Sequence, residues 1–185
     1  TEGGGLNYFN RINKTFQVFK SGGFNSISHN NLKTILYKPQ NEKLYIGTHL
    51  GGLSIYDIKN NKFKEISTRT TPLLPNNVIE AMSPYKNKLI VLTQKGIVWL
   101  DLDSELITPF TSDVELTKAL GIQNTTLLLD SKQNLWLAQT DGGVKCYNLN
   151  TKKLKTFIHS FESPGSIGRQ VITKIYESKR GRILF

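Results

Sequence analysis

The sequence predicts an all-β fold built from a repeated unit of four antiparallel strands, the blade of a β-propeller. Three observations predict it: four glycines recur at a nearly constant spacing, the residues after each glycine repeat in type, and strand-forming runs precede each glycine. Gly5, Gly52, Gly96 and Gly143 follow one another by 47, 44 and 47 residues. A period of this size is typical of repeat architectures in which each repeat is one supersecondary unit.

The residues at fixed offsets after each glycine form columns of one type. An apolar residue stands one position on, a large apolar residue four positions on, and Asn or Asp five positions on. Because Asn and Asp side chains bond the backbone two residues on, the last column predicts a turn rather than an acid/base pair; it consists of Asn10, Asp57, Asp101 and Asn148. Apolar residues return eleven positions on (Phe16, Phe63, Ile107, Leu154) and fourteen positions on (Phe19, Ile66, Phe110, Phe157), which predicts a returning strand.

The runs before each glycine predict the first two strands of each unit. Nearly continuous apolar runs at 44–48, 89–93 and 135–138 are typical of strands buried on both faces. The first strands are predicted at 32–37, 78–82, 125–129 and 171–176. We expect Leu53, Ile55, Leu135, Leu137 and Cys146 to be inaccessible to solvent. The predicted organisation is one propeller fragment over 1–185, with a half blade at 1–20, blades at 30–68, 77–112 and 124–161, and a half blade at 171–185.

The detail of these repeats resembles the two-component-regulator propeller repeat. The resemblance lies in the runs SISHNNL (26–32), LYIGT (44–48) and GGLSIYD (51–57), in DSKQNLWL (130–137) with GGV (142–144), and in SIGRQV (166–171). It is weakest in the third unit, where Lys95-Gly96 replaces the Gly-Gly pair. The resemblance implies the periplasmic sensor region of a membrane-bound hybrid two-component sensor, a histidine kinase joined to a response regulator.

The resemblance also implies what such a module would contact. It implies an oligosaccharide ligand, other propeller and sensor domains of the same chain, and a dimeric parent protein. Two alternatives stay open: a structural scaffold for protein–protein contacts, and a propeller lyase. A metal-dependent lyase with a related architecture uses a His and Glu cluster that has no match here, so we expect no enzymatic activity, no cofactor and no bound metal.

The chain carries a formal net charge of +10, which would attract an anionic partner. Ordinary surface charge, a preference for an acidic glycan or an anionic membrane surface, and nucleic acid binding each account for it. The basic residues are scattered and form no reading motif, so we expect no nucleic-acid partner. The single cysteine excludes an internal disulfide, and no apolar run approaches the roughly 20 residues of a membrane helix.

Candidate ligand-binding residues lie in the loops at the predicted mouth of the propeller. His49, Lys95 and Asp141 follow the second strands, whereas His29, Arg69 and Arg169 lie where one unit passes to the next. The histidines have no metal-ligand or nucleophile spacing, and no phosphate-binding loop leads into a helix. Trp99 and Trp136 fall in the strand columns, so we expect them to pack between strands rather than to stack on a sugar.

The two ends of the chain carry complementary parts of one unit. Residues 6–20 match strands three and four, and residues 171–185 match strands one and two. The partial repeats and the missing initiator Met predict a piece of a longer chain. Since a lone hairpin is marginally stable in water, we expect these segments to pair in one sheet, within a chain or between two chains. The alternative is an open arc taken from a larger ring.

Overall fold

The computed structural model describes residues 2–71 and 73–185. The chain divides into two compact units, residues 1–82 and 83–185. In the described part the fold is all-β, with three four-stranded sheets and two two-stranded sheets, and every ladder with a printed register is antiparallel. The sequence therefore predicted the fold class and the four-stranded sheets correctly.

The first unit contains a two-stranded sheet and a four-stranded sheet. The strands of the first are β1 (Leu6–Asn10) and β2 (Thr15–Phe19). The second has the order β3 (Leu32–Lys38), β4 (Lys43–Thr48), β5 (Leu53–Asp57), β6 (Lys62–Ile66), with a 3-10 turn at Pro39–Asn41. The next sheet consists of β7 (Ile79–Tyr85), β8 (Lys88–Thr93), β9 (Gly96–Asp101) and β10 (Ile107–Pro109), and β7 spans the boundary between the units.

The second unit continues with a short helix and two further sheets. The helix α1 is Val114–Leu120. The four-stranded sheet has the order β11 (Asn124–Leu129), β12 (Asn134–Gln139), β13 (Val144–Asn148), β14 (Leu154–Phe157). A two-residue ladder joins β15 (Tyr176–Glu177) to β16 (Ile183–Leu184).

The columns of the sequence are cross-strand partners in the structure. The residue one position after the anchor glycine pairs with the residue fourteen positions after it: Leu6 with Phe19, Leu53 with Ile66, Val144 with Phe157. The residues at four and eleven positions pair likewise: Phe9 with Phe16, Tyr56 with Phe63, Leu100 with Ile107, Tyr147 with Leu154. The repeat in the sequence is thus a repeat of hairpin register, since cross-strand pairs are the packing units of a sheet.

The predicted Asx turns are confirmed at the end of each third strand. Asn10 and Asp57 accept a hydrogen bond from the amides of Ile12 (2.9 Å) and Asn60 (2.8 Å) through Oδ1. Asp101 and Asn148 accept in the same way from the amides of the two following turns. The hydrogen bonds from Asn60 lower the pKa of Asp57, and those from Ser104 lower the pKa of Asp101. These carboxylates are turn formers.

The predicted core is buried. Leu53, Leu135 and Leu137 are fully inaccessible, and Ile55 and Cys146 are also buried. Burial raises the pKa of the Cys146 thiol, and the nearby Asp130 carboxylate raises it further. The cysteine is therefore a small packed side chain with little thiolate character.

Both tryptophans pack between strands, as predicted. The indole of Trp99 lies 5.2 Å from the Phe110 ring and donates its N–H to the Phe110 carbonyl at 3.0 Å. Trp136 stacks on Phe157 at 5.9 Å and meets Phe185 edge-on at 5.8 Å. Both side chains are part-buried within the sheets.

Two segments differ from the sequence-based expectations. The predicted first strand at 171–176 is mostly outside the ladder; only Tyr176 belongs to β15, because β16 contributes just two residues to the pairing. Ile172 and Ile175 are nevertheless buried against Ala138 and Val144. The helix α1 was not predicted, although Asp113 caps it by accepting from the Leu116 amide at 3.1 Å.

Contacts one repeat apart hold neighbouring sheets together. Within the first unit, Lys33 on β3 forms an ion pair with Glu80 on β7. Within the second, the hydroxyl of Thr125 donates to the Ile172 carbonyl at 2.6 Å, 47 residues on. The Ser131 amide donates to the Glu177 carboxylate at 2.8 Å, 46 residues on.

The pairing expected between the two ends is not formed within this chain. In the described residues β1 pairs with β2, and β15 pairs with β16, as two separate sheets. The alternative pairing between two chains stays a prediction.

Candidate functional site

The loops that the sequence singled out meet around Asn31 in the first unit. The Asn31 amide donates to Nδ1 of His29 at 3.0 Å, and the His49 amide donates to the Asn31 carbonyl at 2.9 Å. The Asn31 side chain accepts from the Gly3 amide. The backbone therefore joins the loop before β3 to the loop after β4, and places His29 and His49 in one group of loops. We name residues 28–31 and 48–51 the histidine cluster.

Close packing fixes the shape of the histidine cluster. A Cβ at Gly51 would lie 2.8 Å from the Cβ of His29 and 2.8 Å from the Ser28 carbonyl oxygen. Gly51 is thus the only kind of residue that fits between the two loops without a shift. The Thr48 hydroxyl supports the turn by accepting from the Gly51 amide at 2.9 Å and donating to the Gly52 carbonyl at 2.8 Å. The loop is well ordered before any ligand arrives.

The two histidines offer different groups to a ligand. The His29 ring is half-buried and accepts at Nδ1, so the neutral ring carries its proton on Nε2 as a hydrogen-bond donor. His49 is exposed. The cluster therefore combines a fixed imidazole with an exposed one, a chemistry suited to binding hydroxyl or carboxylate groups by hydrogen bonds.

Asp141 and Arg169 lie in adjacent segments of the second unit. A Cβ at Gly142 would lie only 2.6 Å from the Arg169 carbonyl oxygen, so the two loops touch at this glycine. The Asp141 carboxylate is exposed, and the Arg169 guanidinium lies 6.0 Å from the centre of the Phe161 ring. The Thr140 amide donates to the Gln123 carbonyl at 3.0 Å, in the same manner as His49 and Asn31.

The two remaining predicted residues stand apart from these groups. Arg69 is exposed and forms an ion pair with Glu65 at 3.5 Å. Lys95 is exposed in a tight turn, where its amide donates to the Thr93 hydroxyl at 3.2 Å. Their role in ligand binding stays a prediction, as does that of the other four residues.

The sequence did not predict an aromatic groove of about 560 Å³ in the second unit. Its walls include Trp136, Phe157 and Phe185, together with Ser160, Ser163 and Ser166. The serines belong to a compact loop: the Ser160 amide donates to the Ser166 hydroxyl at 3.0 Å, which donates back to the Ser160 carbonyl at 2.9 Å. The regular Ser-x-x-Ser-x-x-Ser spacing was the available signal. We name this feature the aromatic groove.

The described residues bear no sign of a metal centre or of a membrane-spanning helix. Among them no group of three or more His, Cys, Asp or Glu side chains is placed to hold a metal ion. No helix in 2–71 or 73–185 is both long and apolar enough to cross a bilayer.

Comparison with known proteins gives likenesses to solved structures. No protein-family model matches the chain, and no curated protein matches it. The chain is 21% identical to the extracellular domain of the putative hybrid two component system BT3049 from Bacteroides thetaiotaomicron, with a TM-score of 0.75 over 99% of its length. It is 18% identical to the extracellular domain of the putative hybrid two component system BT4673 from the same organism, with a TM-score of 0.77 over 98% of its length.

A third likeness is to an auxiliary nutrient binding protein from Bacteroides thetaiotaomicron, at 13% identity and a TM-score of 0.61 over 88% of the chain. The chain covers 23% of each of the two sensor domains and 36% of the nutrient binding protein. It thus spans about a quarter of the sensor structures it resembles. At these identities the likeness shows the fold, which this chain shares with extracellular domains of two-component sensors.

Proposed function

We propose that this chain is a ligand-sensing module in the periplasmic part of a membrane-bound hybrid two-component sensor, and that its four-stranded sheets are blades of a propeller. The observation that supports the proposal is the likeness to sensor extracellular domains over 98–99% of the chain. In this role the chain itself catalyses no reaction; it binds a ligand or a neighbouring domain, and the parent protein passes the change across the membrane as a dimer.

The proposed ligand is an oligosaccharide, and the proposed site is the histidine cluster. Two features support this choice: the loops are held in place by backbone hydrogen bonds, and they present imidazole groups that bond hydroxyls. A preorganised site loses less entropy on binding. The net charge of +10 favours an acidic sugar over a neutral one, because the summed field attracts anions.

Calorimetric titration of the purified chain tests the proposal with two probes that differ in charge. The probes are a tetrasaccharide of galacturonic acid and a tetrasaccharide of xylose. We expect binding of the acidic probe that weakens as salt rises, and weaker binding of the neutral probe. The His49→Ala variant should lower the affinity at least fivefold. Lys59→Ala, which removes an exposed lysine in a strand turn outside the cluster, is the matched control and should leave it unchanged.

Two results would count against the proposal. If neither tetrasaccharide binds, the scaffold interpretation, in which the module contacts only protein, is favoured. If Lys59→Ala weakens binding as much as His49→Ala, the attraction is a general charge effect and the histidine cluster is not the site.

A further inference from the structure

We infer that the aromatic groove is a seat for a β-hairpin, and that the occupant is the β1–β2 hairpin of a second copy of this chain. The inference rests on the repeat: the same packing site occurs in the first unit, where it is filled. It is independent of the proposed ligand.

The filled site in the first unit shows what the groove accepts. There Leu6, Ile27 and Ile46 form a buried cluster with Phe19 at its edge. Phe19 contacts a pair of rings from the next sheet, Tyr56 at 5.3 Å and Phe63 at 5.6 Å. These two rings are cross-strand partners on β5 and β6 and stack at 4.4 Å. The third and fourth strands of a sheet therefore supply an aromatic pair that covers the phenylalanine of the preceding sheet.

The aromatic groove has the same walls without that pair. Val144 and Phe157 are paired as Leu6 and Phe19 are, and the Ser166-Ile167 step corresponds to Ser26-Ile27. The next sheet is represented by β15 and β16 alone, so its third and fourth strands are not in the ladder. Phe157 is 42% exposed, whereas its counterpart Phe19 is covered on one face by two rings.

The β1–β2 hairpin carries the matching aromatic pair. Phe9 and Phe16 stand at four and eleven positions after Gly5, which are the positions of Tyr56 and Phe63 after Gly52. They are cross-strand partners with ring centres 4.9 Å apart, and they are 45% and 68% exposed. Leaving such rings in water forgoes the free energy of burying them, which is substantial for aromatic side chains.

The backbone of the two hairpins is complementary as well. The turn before β16 matches the turn before β12: the Ser178 amide donates to the Arg182 carbonyl at 2.8 Å, as the Asp130 amide does to the Asn134 carbonyl at 3.0 Å. Leu184 therefore corresponds to Trp136. Because Trp136 pairs with Cys146 on the third strand, Leu184 would pair with Tyr8, three positions after Gly5. In the described residues β1 has one strand neighbour, so its other edge is open to strand addition.

Sedimentation velocity of the complete chain over a range of concentrations tests the inference. We expect a dimer at high concentration that dissociates on dilution. Phe16→Ala and Phe157→Ala should each raise the dissociation constant at least tenfold, and the double variant should add little to either. Phe161→Ala and Phe24→Ala, which truncate exposed rings absent from the groove lining, are matched controls and should leave it unchanged.

A disulfide trap provides the second readout, because the two positions of a cross-strand pair lie within disulfide range. In a Cys146→Ser background, Tyr8→Cys and Leu184→Cys should form a covalent dimer under mild oxidation. A chain that stays monomeric at every concentration, a dimer insensitive to Phe16→Ala, or a bond formed within one chain would each overturn the inference.

Discussion

Single carboxylates organise the turns of this fold, and Asp130 is the clearest example. Its buried side chain accepts from the Trp136 indole at 2.8 Å, from the Asn134 amide at 2.8 Å and from the Lys132 amide at 2.9 Å. Burial raises the pKa of this carboxyl, but the hydrogen bonds from Trp136 and Asn134 outweigh it and hold the pKa below its ordinary value. The ionised form thus fixes both the turn and the ring that lines the aromatic groove.

Replacing Asp130 by Asn should lower the free energy of unfolding by about 2 kcal/mol at pH 7, since hydrogen bonds to a charged acceptor are lost. The pKa of Asp130 is lowered in the folded state, so its stabilisation is present above the ordinary value of about 3.9 and is lost as the pH falls through the folded-state value. The gap between wild type and variant should therefore shrink below about pH 4. Urea denaturation at pH 7, 5 and 3 measures it.

The exposed Asp141→Asn variant is the control for this experiment. A gap that stays constant from pH 7 to pH 3 would show that the charge of Asp130 contributes nothing to the fold.

At the scale of the element, the recurring glycine is required by the hairpin that follows it. Gly5 and Gly52 have φ of 71° and 74°, in the left-handed region that favours glycine. A Cβ at Gly52 would also lie 2.3 Å from the Ile66 carbonyl oxygen, and one at Gly5 would lie 2.2 Å from that of Phe19. The glycine thus lets the fourth strand end against the start of the third. This contact explains why the period was visible in the sequence.

Gly52→Ala should destabilise the chain by more than about 1 kcal/mol, because an alanine at positive φ is strained and its methyl group also meets a carbonyl. Gly168→Ala is the matched control: it has no atom within 4 Å of an added Cβ, and its effect should stay within about 0.5 kcal/mol. Thermal unfolding followed by circular dichroism compares the two. Equal effects of both variants would contradict the role assigned to the anchor glycine.

The sequence predicted these hairpins because their residues repeat, and repetition exposes cross-strand partners such as Phe9 with Phe16 without a structure. It predicted the loops of His29 and His49 but not that Asn31 joins them, since that bond depends on how the backbones of two loops meet. The aromatic groove escaped for the same reason: Trp136 and Phe185 are 49 positions apart. The helix α1 broke the repeat locally and had only the weak signal of a capping Asp113.

At the scale of the whole molecule, each sheet depends on its neighbour along the chain. Repeat proteins gain stability from nearest-neighbour contacts as well as from each repeat alone. The Thr125 hydroxyl makes such a contact, since it bonds the Ile172 carbonyl in the following repeat at 2.6 Å. Ile172 and Ile175 are then held against the core beside Ala138.

Thr125→Val keeps the side-chain shape but removes this hydrogen bond, so it should cost about 1 kcal/mol and free the segment that follows. We expect faster amide hydrogen exchange at 171–177, and unchanged exchange in β4. Thr108→Val, at an exposed position of β10, is the control. Faster exchange throughout the chain would indicate global destabilisation instead of loss of a local contact.

The central claim is that the histidine cluster is where this module meets its ligand, and amide chemical-shift mapping tests it most directly. The isotope-labelled chain is titrated with the galacturonic acid tetrasaccharide, and the amide signals are followed residue by residue. The account predicts saturable shifts concentrated at 28–31 and 48–51, with little change at 158–167 beside the aromatic groove. Shifts concentrated at the groove, or none at saturating tetrasaccharide, would contradict it.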